Sequence, residues 1–151
     1  MARPVDELRA VLAADEPDYA AIVQTLDASD ADGLREVAQG EDTSLAVKAV
    51  YLASLLPQDA GADIVANAAG HGRSLLRVTA ATAVRNLSAE SSAPVLAGLL
   101  ANGDAGVRKT ALASVPSADH PTVRASLQHM ADNDDVQSLA DRARELTGGS
   151  A

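Results

Sequence analysis

The residues whose side chains could do metal chemistry are three histidines, His71, His120 and His129. A metal site on a helix needs two ligands about one turn apart and a third donor nearby. His120 and His129 are nine residues apart, about two and a half helical turns, so they face different ways. His71 stands between two glycines, in a predicted turn. We therefore predict no metal ligand among the histidines.

A second candidate for chemistry is the acidic stretch at residues 27–33, which ends in glycine and looks like part of an EF-hand calcium loop. When the stretch is aligned with the 12-residue EF-hand loop, the first ligand position falls on Ala28. The twelfth position is Gln39, where the EF-hand needs a bidentate Glu. The stretch is better explained as a turn, with Ser29 or Asp30 capping the third helix.

The chain also lacks the residues that other kinds of catalytic site need. The chain has no cysteine, which excludes a disulfide scaffold, a thiol nucleophile and a Cys-ligated metal. The glycines around residues 70–73 are too few to form a phosphate-binding loop. No serine is paired in sequence with a base. We predict no catalytic residue, no bound cofactor and no enzymatic activity.

The charge balance restricts the partners. The chain has 21 acidic and 12 basic residues, for a net charge of −9, so it would repel the phosphate backbone of a nucleic acid. No run of basic residues offers a local exception. No apolar stretch approaches the length of a membrane span, and the first residues lack the apolar segment of a secretory signal. We expect a cytoplasmic protein that binds neither nucleic acid nor membrane.

The hydrophobic residues are abundant but small. They make up 47% of the chain, yet there is no Phe, no Trp and only two tyrosines, Tyr19 and Tyr51. The core must therefore consist of Ala, Val and Leu. Such side chains allow helices to approach closely, which favours a tightly stacked helical array.

A nine-residue template repeats along the chain. It begins at residue 107, has clear copies at 76 and 47, and has a weaker copy at 136, so the steps are 29, 31 and 29 residues. The pattern is apolar, basic, two variable residues, small, two variable residues, small, apolar. A period near thirty residues is the mark of stacked helix pairs. The repeated positions are Val47, Lys48, Tyr51, Leu76, Arg77, Ala80, Val107, Arg108, Ala111, Val136 and Ala140.

The third copy resembles the first helix of a HEAT-like repeat, in the short form found in bacterial phycobilisome-lyase-type repeats. Asp104, Val107, Arg108 and Ala111 match that pattern residue by residue. The resemblance covers residues 43–147. It implies an all-α fold, an α-solenoid or superhelix of stacked antiparallel helix pairs of HEAT or ARM type, with about ten helices.

The chain departs from the family pattern at several positions. The acidic position is filled only at Asp104, and Ser44, Arg73 and Asn133 replace it elsewhere. In the family this acid and the Arg of a neighbouring repeat form a ladder, so the resemblance implies an incomplete ladder here. The basic position is also lost, at Gln137.

Tyr51 is the other departure, because the remaining copies have alanine at its position. We predict that its ring packs against the N-terminal helices and closes the first joint of the array. The alternative is that its hydroxyl faces a partner.

These patterns predict one domain over residues 1–151. Its segments are irregular N-terminal helices at 1–41, repeats at 43–72, 73–103 and 104–132, a C-terminal capping helix at 134–147 and a tail at 148–151. Four internal helix starts have side-chain signals. These are Thr43 or Ser44, then Ser91 or Ser92 with Pro94 in the first turn, then Asp104, and Asp119 with Pro121 in the first turn.

The function is expected to lie outside the repeated residues. The outward row of the second helices is small and nearly uncharged, which suits a concave floor for a partner protein or for a second copy of the chain. The alternative is a solvated face of good helix formers. A competing class is a small enzyme or regulator, similar to bilin lyases or acting on an operon-encoded enzyme. The predicted partner-binding residues are Asn67, Ala97, Gly98, Ala125 and Gln128, with Ala62 and Ala66 in the same row.

Overall fold

The computed structural model describes residues 2–116 and 119–148, and among these it contains helices and loops but no strand. The all-α class is therefore confirmed. No helix in the described part of the chain is long and apolar enough to cross a membrane. The described residues form ten α-helices, which are α1 Val5–Leu12, α2 Tyr19–Val23, α3 Ala31–Ala38, α4 Thr43–Ser54, α5 Ala62–Ala69, α6 Ser74–Ala83, α7 Ala89–Leu100, α8 Ala105–Ala113, α9 Pro121–Asn133 and α10 Gln137–Leu146.

The helices after α3 pack in two rows. In the first row α4 contacts α6, α6 contacts α8 and α8 contacts α10, while in the second row α5 contacts α7 and α7 contacts α9. Between the rows, α3 contacts α4, α5 contacts α6, α7 contacts α8 and α9 contacts α10, and each of these pairs crosses a predicted repeat boundary. Within the predicted repeats, α4 and α5 also pack extensively, whereas α6 and α7 make few contacts. Taken together, the contacts across the boundaries are more extensive than those within the repeats.

The template residues supply the interior of the first row. In the two central copies Leu76, Ala80, Val107 and Ala111 are all buried, as the repeat pattern predicts. The first residues of the outer copies, Val47 and Val136, are only half-buried. Tyr51 contacts the N-terminal region: its ring centroid lies 4.9 Å from that of Tyr19, at an angle of 60° between the ring planes. The expected packing of Tyr51 on the N-terminal helices is present.

The predicted start of α7 is wrong. The helix begins at Ala89, and the Ser88 side chain accepts a hydrogen bond from the backbone N–H of Ser91. Ser88 itself is fixed by Asp59, which accepts hydrogen bonds from its backbone N–H and its hydroxyl. Because this contact comes from 29 residues away, the local serine pattern could not reveal it. Pro94 consequently lies inside the helix rather than in its first turn.

Two more predicted caps are replaced by a neighbouring residue. Asp42, not Thr43 or Ser44, caps α4 by accepting from the N–H of Leu45. His120, not Asp119, caps α9 by accepting from the N–H of Thr122, and Pro121 occupies the first turn as expected. Asp104 caps α8 as predicted, through the N–H of Gly106.

The expected cap of α3 is also absent, because Asp30 makes a different set of contacts. Its buried carboxylate accepts from the backbone N–H groups of Arg3, at 2.7 Å, and of Asp27, at 2.9 Å. This residue therefore fastens the N-terminal segment to the turn before α3. Of the predicted tail, residue 148 is described and residues 149–151 lie outside the described residues.

Close approach of α4 and α5 requires a glycine at position 61. A Cβ atom placed on Gly61 would lie 2.1 Å from the carbonyl oxygen of Ala53. That oxygen belongs to the backbone of α4, so the clash could not be relieved by a side-chain rotation. Gly98, on the exposed side of α7, has no atom within 4 Å of the same hypothetical Cβ.

We predict opposite stability effects for two Gly→Ala substitutions. Gly61→Ala should lower the free energy of unfolding by about 2–3 kcal/mol, because α4 and α5 must separate. Gly98→Ala should raise it by about 0.5–1 kcal/mol, because alanine is the better helix former at an open helical site. Thermal and urea unfolding followed by circular dichroism measure both. An equal change in both variants would contradict the proposed close approach.

Candidate functional site

The basic template residues anchor loops rather than form a site. Arg77 Nη1 donates to the backbone carbonyls of His71, at 2.9 Å, and Gly72, at 3.0 Å. Arg108 Nη1 donates in the same way to Asn102, at 2.9 Å, and Gly103. Both arginines thus hold the loop that enters their own helix, which explains why the basic residue repeats at this position.

Arg108 also reaches the next loop. Its Nε lies 2.9 Å and its Nη2 3.1 Å from the two carboxylate oxygens of Asp134, and Nη2 lies 3.0 Å from Asp135. The side chain of Asp134 is only 3% exposed. Burial by itself raises the pKa of its carboxyl, but hydrogen bonds from Arg108 and from the N–H of Val136 outweigh that effect and leave the pKa below the ordinary value.

The acid–base ladder implied by the HEAT-like resemblance is not made with Asp104. The partner of Arg108 is Asp134, and Asp104 instead caps its own helix. Arg77 donates only to carbonyls, and its buried Nε has no hydrogen-bond partner among the described residues. In the preceding template copy, the position that corresponds to Asp134 is occupied by Ala105. Alanine has no carboxylate that could pair with Arg77. Of the two template arginines, only Arg108 therefore pairs with a carboxylate among the described residues.

The two outer template copies make other contacts. Lys48 Nζ donates to the carbonyl oxygen of Ala14 at 2.6 Å, which ties the first copy to the N-terminal segment. Gln137 donates to Asp141 on its own helix at 2.8 Å. In each of the three copies that have it, the basic residue thus makes a hydrogen bond to a backbone carbonyl. Lys48 uses a carbonyl of the N-terminal segment, whereas Arg77 and Arg108 use those of the loop before their own helix.

We predict that Asp134→Ala lowers the free energy of unfolding by about 2 kcal/mol near pH 7, since it leaves the Arg108 guanidinium without its buried acceptor. Asp134 has a depressed pKa in the folded state. Its contribution is therefore complete above about pH 4, the unfolded value, and is lost as the pH falls through the folded value. The difference between wild type and variant in urea unfolding should shrink accordingly.

Asp135→Ala is the matched control, because the Asp135 side chain is 89% exposed and contacts the same arginine. Exposed ion pairs contribute little to stability. A loss for Asp135→Ala equal to that for Asp134→Ala would show that burial of Asp134 is not what matters.

The three histidines lie apart and contact backbone or neighbouring side chains. The Nδ1 atom of His71 accepts from the N–H of Arg73 at 3.0 Å. His120 caps α9 and lies 3.7 Å from Glu90, while His129 lies beside Asn133. Within residues 2–116 and 119–148, no group of three or more His, Cys, Asp or Glu side chains could hold a metal ion.

The outward face of α5, α7 and α9 carries the predicted partner-binding residues. Asn67, Gly98, Ala125 and Gln128 are exposed, whereas Ala97 is half-buried. From Ser91 to the end of α7 no side chain is charged. On a chain of net charge −9, this part of α7 is unusually neutral. We call the outward face of α5, α7 and α9 the second-row face.

Separate depressions divide the second-row face. Gly98 lies in a groove of about 450 Å³ between α5 and α7, which we call the α5–α7 groove. Ala125 lies in a depression of about 230 Å³ between α7 and α9. Asn67 is at the mouth of a cavity between α3 and α5. The α5–α7 groove is lined by Ala66, Ala69, Gly70, Pro94, Val95, Gly98 and Asn102.

The cavity between α3 and α5 was not anticipated from the sequence. It combines Arg35 and Gln39 from α3 with Asn67 from α5 and His71 from the following loop. The helical spacing of Asn67 and His71, four residues apart, is the only local signal. The contribution of α3 depends on packing between segments that show no repeat relationship.

Comparisons with known proteins do not assign the chain. No protein-family model matches it, and no curated protein is significantly similar to it.

Proposed function

We propose that this chain is a non-catalytic, cytoplasmic HEAT-like scaffold, an α-solenoid that binds a partner protein through the second-row face. The observation that carries the proposal is the neutrality of that face around the α5–α7 groove. Charged residues are depleted from the cores of protein interfaces, where each charge must be desolvated. A neutral face on a strongly acidic chain therefore favours binding over mere solvation.

The solenoid part of the proposal is supported by the two rows of helices. Each row adds one helix per repeat of about thirty residues, and contacts join successive members of the row. This arrangement is typical of arrays in which each unit buries its apolar surface against the next. It also places one helix of every unit on the second-row face.

The shape of the α5–α7 groove favours a helical or extended segment of the partner. The groove is lined by small residues at Ala66, Ala69, Gly70 and Gly98, which let another backbone approach closely. The polar atoms of Asn102 lie at one end of it. A partner segment with apolar side chains would bury surface here without leaving a charge unpaired.

The proposal predicts that new charges on the second-row face abolish partner binding. Gly98→Glu and Ala125→Glu introduce a carboxylate at exposed positions, so the fold should persist. Each should reduce recovery of the partner at least tenfold in affinity capture from the native host, because the carboxylate would be desolvated at the interface. Gly98 is a better position than half-buried Ala97, where the added side chain would also disturb packing.

Ala113→Glu is the matched control. Ala113 is an exposed helical alanine on α8, in the other row of helices. Ala113→Glu should leave recovery unchanged. All three variants should stay folded, and Gly98→Glu should melt slightly higher than wild type because it replaces a helical glycine. If the partner is a second copy of the chain, sedimentation equilibrium will show the same pattern of loss and retention. Equal recovery with all three variants would contradict the assignment of the second-row face.

A further inference from the structure

The cavity between α3 and α5 is distinct from the α5–α7 groove. Both α3 and α5 are fully described, yet they are not among the closely packed helix pairs, in contrast to α5 and α7. The space left between them has a volume of about 160 Å³. It is bounded from the first row by Val50 on α4 and Leu76 on α6.

The interior of this cavity is apolar and large enough for a six-membered ring. A cavity of roughly 150 Å³ lined by aliphatic side chains is known to accept benzene, and the present cavity is of similar size. Four of the five apolar residues lining it, Val50, Ile64, Ala68 and Leu76, are core residues no more than 5% exposed, so a ligand would contact their outermost atoms. The apolar residues lining it are Ala38, Val50, Ile64, Ala68 and Leu76.

Polar groups free to bind a ligand surround the mouth. The side-chain amides of Gln39 and Asn67 line it, and among the described residues neither makes a hydrogen bond within the chain. His71 accepts a backbone N–H at Nδ1, so the neutral ring carries its proton on Nε2 as a donor. The mouth therefore offers both donors and acceptors.

The charges at the mouth favour a neutral ligand. Arg35 is the one charged residue among those lining the cavity. Its guanidinium lies 2.8 Å from Asp63 and also pairs with Asp32, so its positive charge is already balanced. An anion would find no unpaired cation, and a cation would find no lining carboxylate.

We propose that this cavity binds a small neutral molecule, with an apolar or aromatic ring in the interior and an amide or carbonyl group at the mouth. The ring would contact Ile64 and Leu76, and the polar group would bond to Asn67 and His71. This binding is independent of the partner-binding role of the α5–α7 groove. The scaffold would thus carry a ligand site beside its protein-binding face.

The test uses three probes of the same shape and different charge: benzamide, benzoate and benzamidinium. Each is titrated into the ¹⁵N-labelled chain while backbone amide shifts are recorded. Benzamide should give saturable shifts confined to residues 35–39, 64–71 and 76, with a Kd on the order of 1 mM, as expected for a ligand of this size. Benzoate and benzamidinium should bind at least fivefold more weakly.

Variants at the mouth complete the test. Asn67→Ala and His71→Ala should each weaken benzamide binding at least threefold. Gln137→Ala, an exposed change on α10 that does not line the cavity, should leave the Kd unchanged. The proposal is overturned if benzamide gives no saturable shift, if its shifts map elsewhere, or if benzoate or benzamidinium binds as tightly. Partner capture by Gly98→Glu reports on the other surface, so failure of either proposal is recognisable separately.

Discussion

The structure depends on helices that approach more closely than ordinary side chains allow. The chain has no Phe or Trp, so its apolar area must come from many small contacts, and these are effective only at short range. Gly61 is the extreme case, because its α-carbon lies against the Ala53 carbonyl where no Cβ fits. The alanines of the template also allow helices to approach closely, and Ala80 and Ala111 are fully buried in the first row.

Close packing leaves the loops to be fastened by polar contacts over long sequence separations. Arg108 joins two successive loops through backbone carbonyls and Asp134, and Asp59 fixes the start of α7. Asp30 does the same for the N-terminal segment. Each contact satisfies a buried or half-buried polar group that would otherwise destabilise the fold. The regular ladder implied by the resemblance is replaced by a different bond at each joint.

The residues that stack the helices are different from those of the second-row face, to which we assign partner binding. The repeated residues face inward and are conspicuous in sequence because every unit needs them. The second-row face contains residues such as Gly98 and Ala125, which are alike only in being small and uncharged. The α3–α5 cavity arises where the repeat is interrupted, since α3 does not pack on α5 as α7 does. Irregularity in the array thus creates the space that a regular array would fill.

The sequence by itself determined the helical class and the buried positions of the two central template copies, because apolar residues at helical spacing lie on one face of a helix. It also identified Asp104 as a cap, a contact made two residues away. It could not determine that Ser88 begins α7, that Asp134 is the partner of Arg108, or that Arg35 and His71 share one cavity. Those contacts join residues 26 to 36 positions apart. Only the packing of whole helices brings such residues together, so tertiary structure alone decided them.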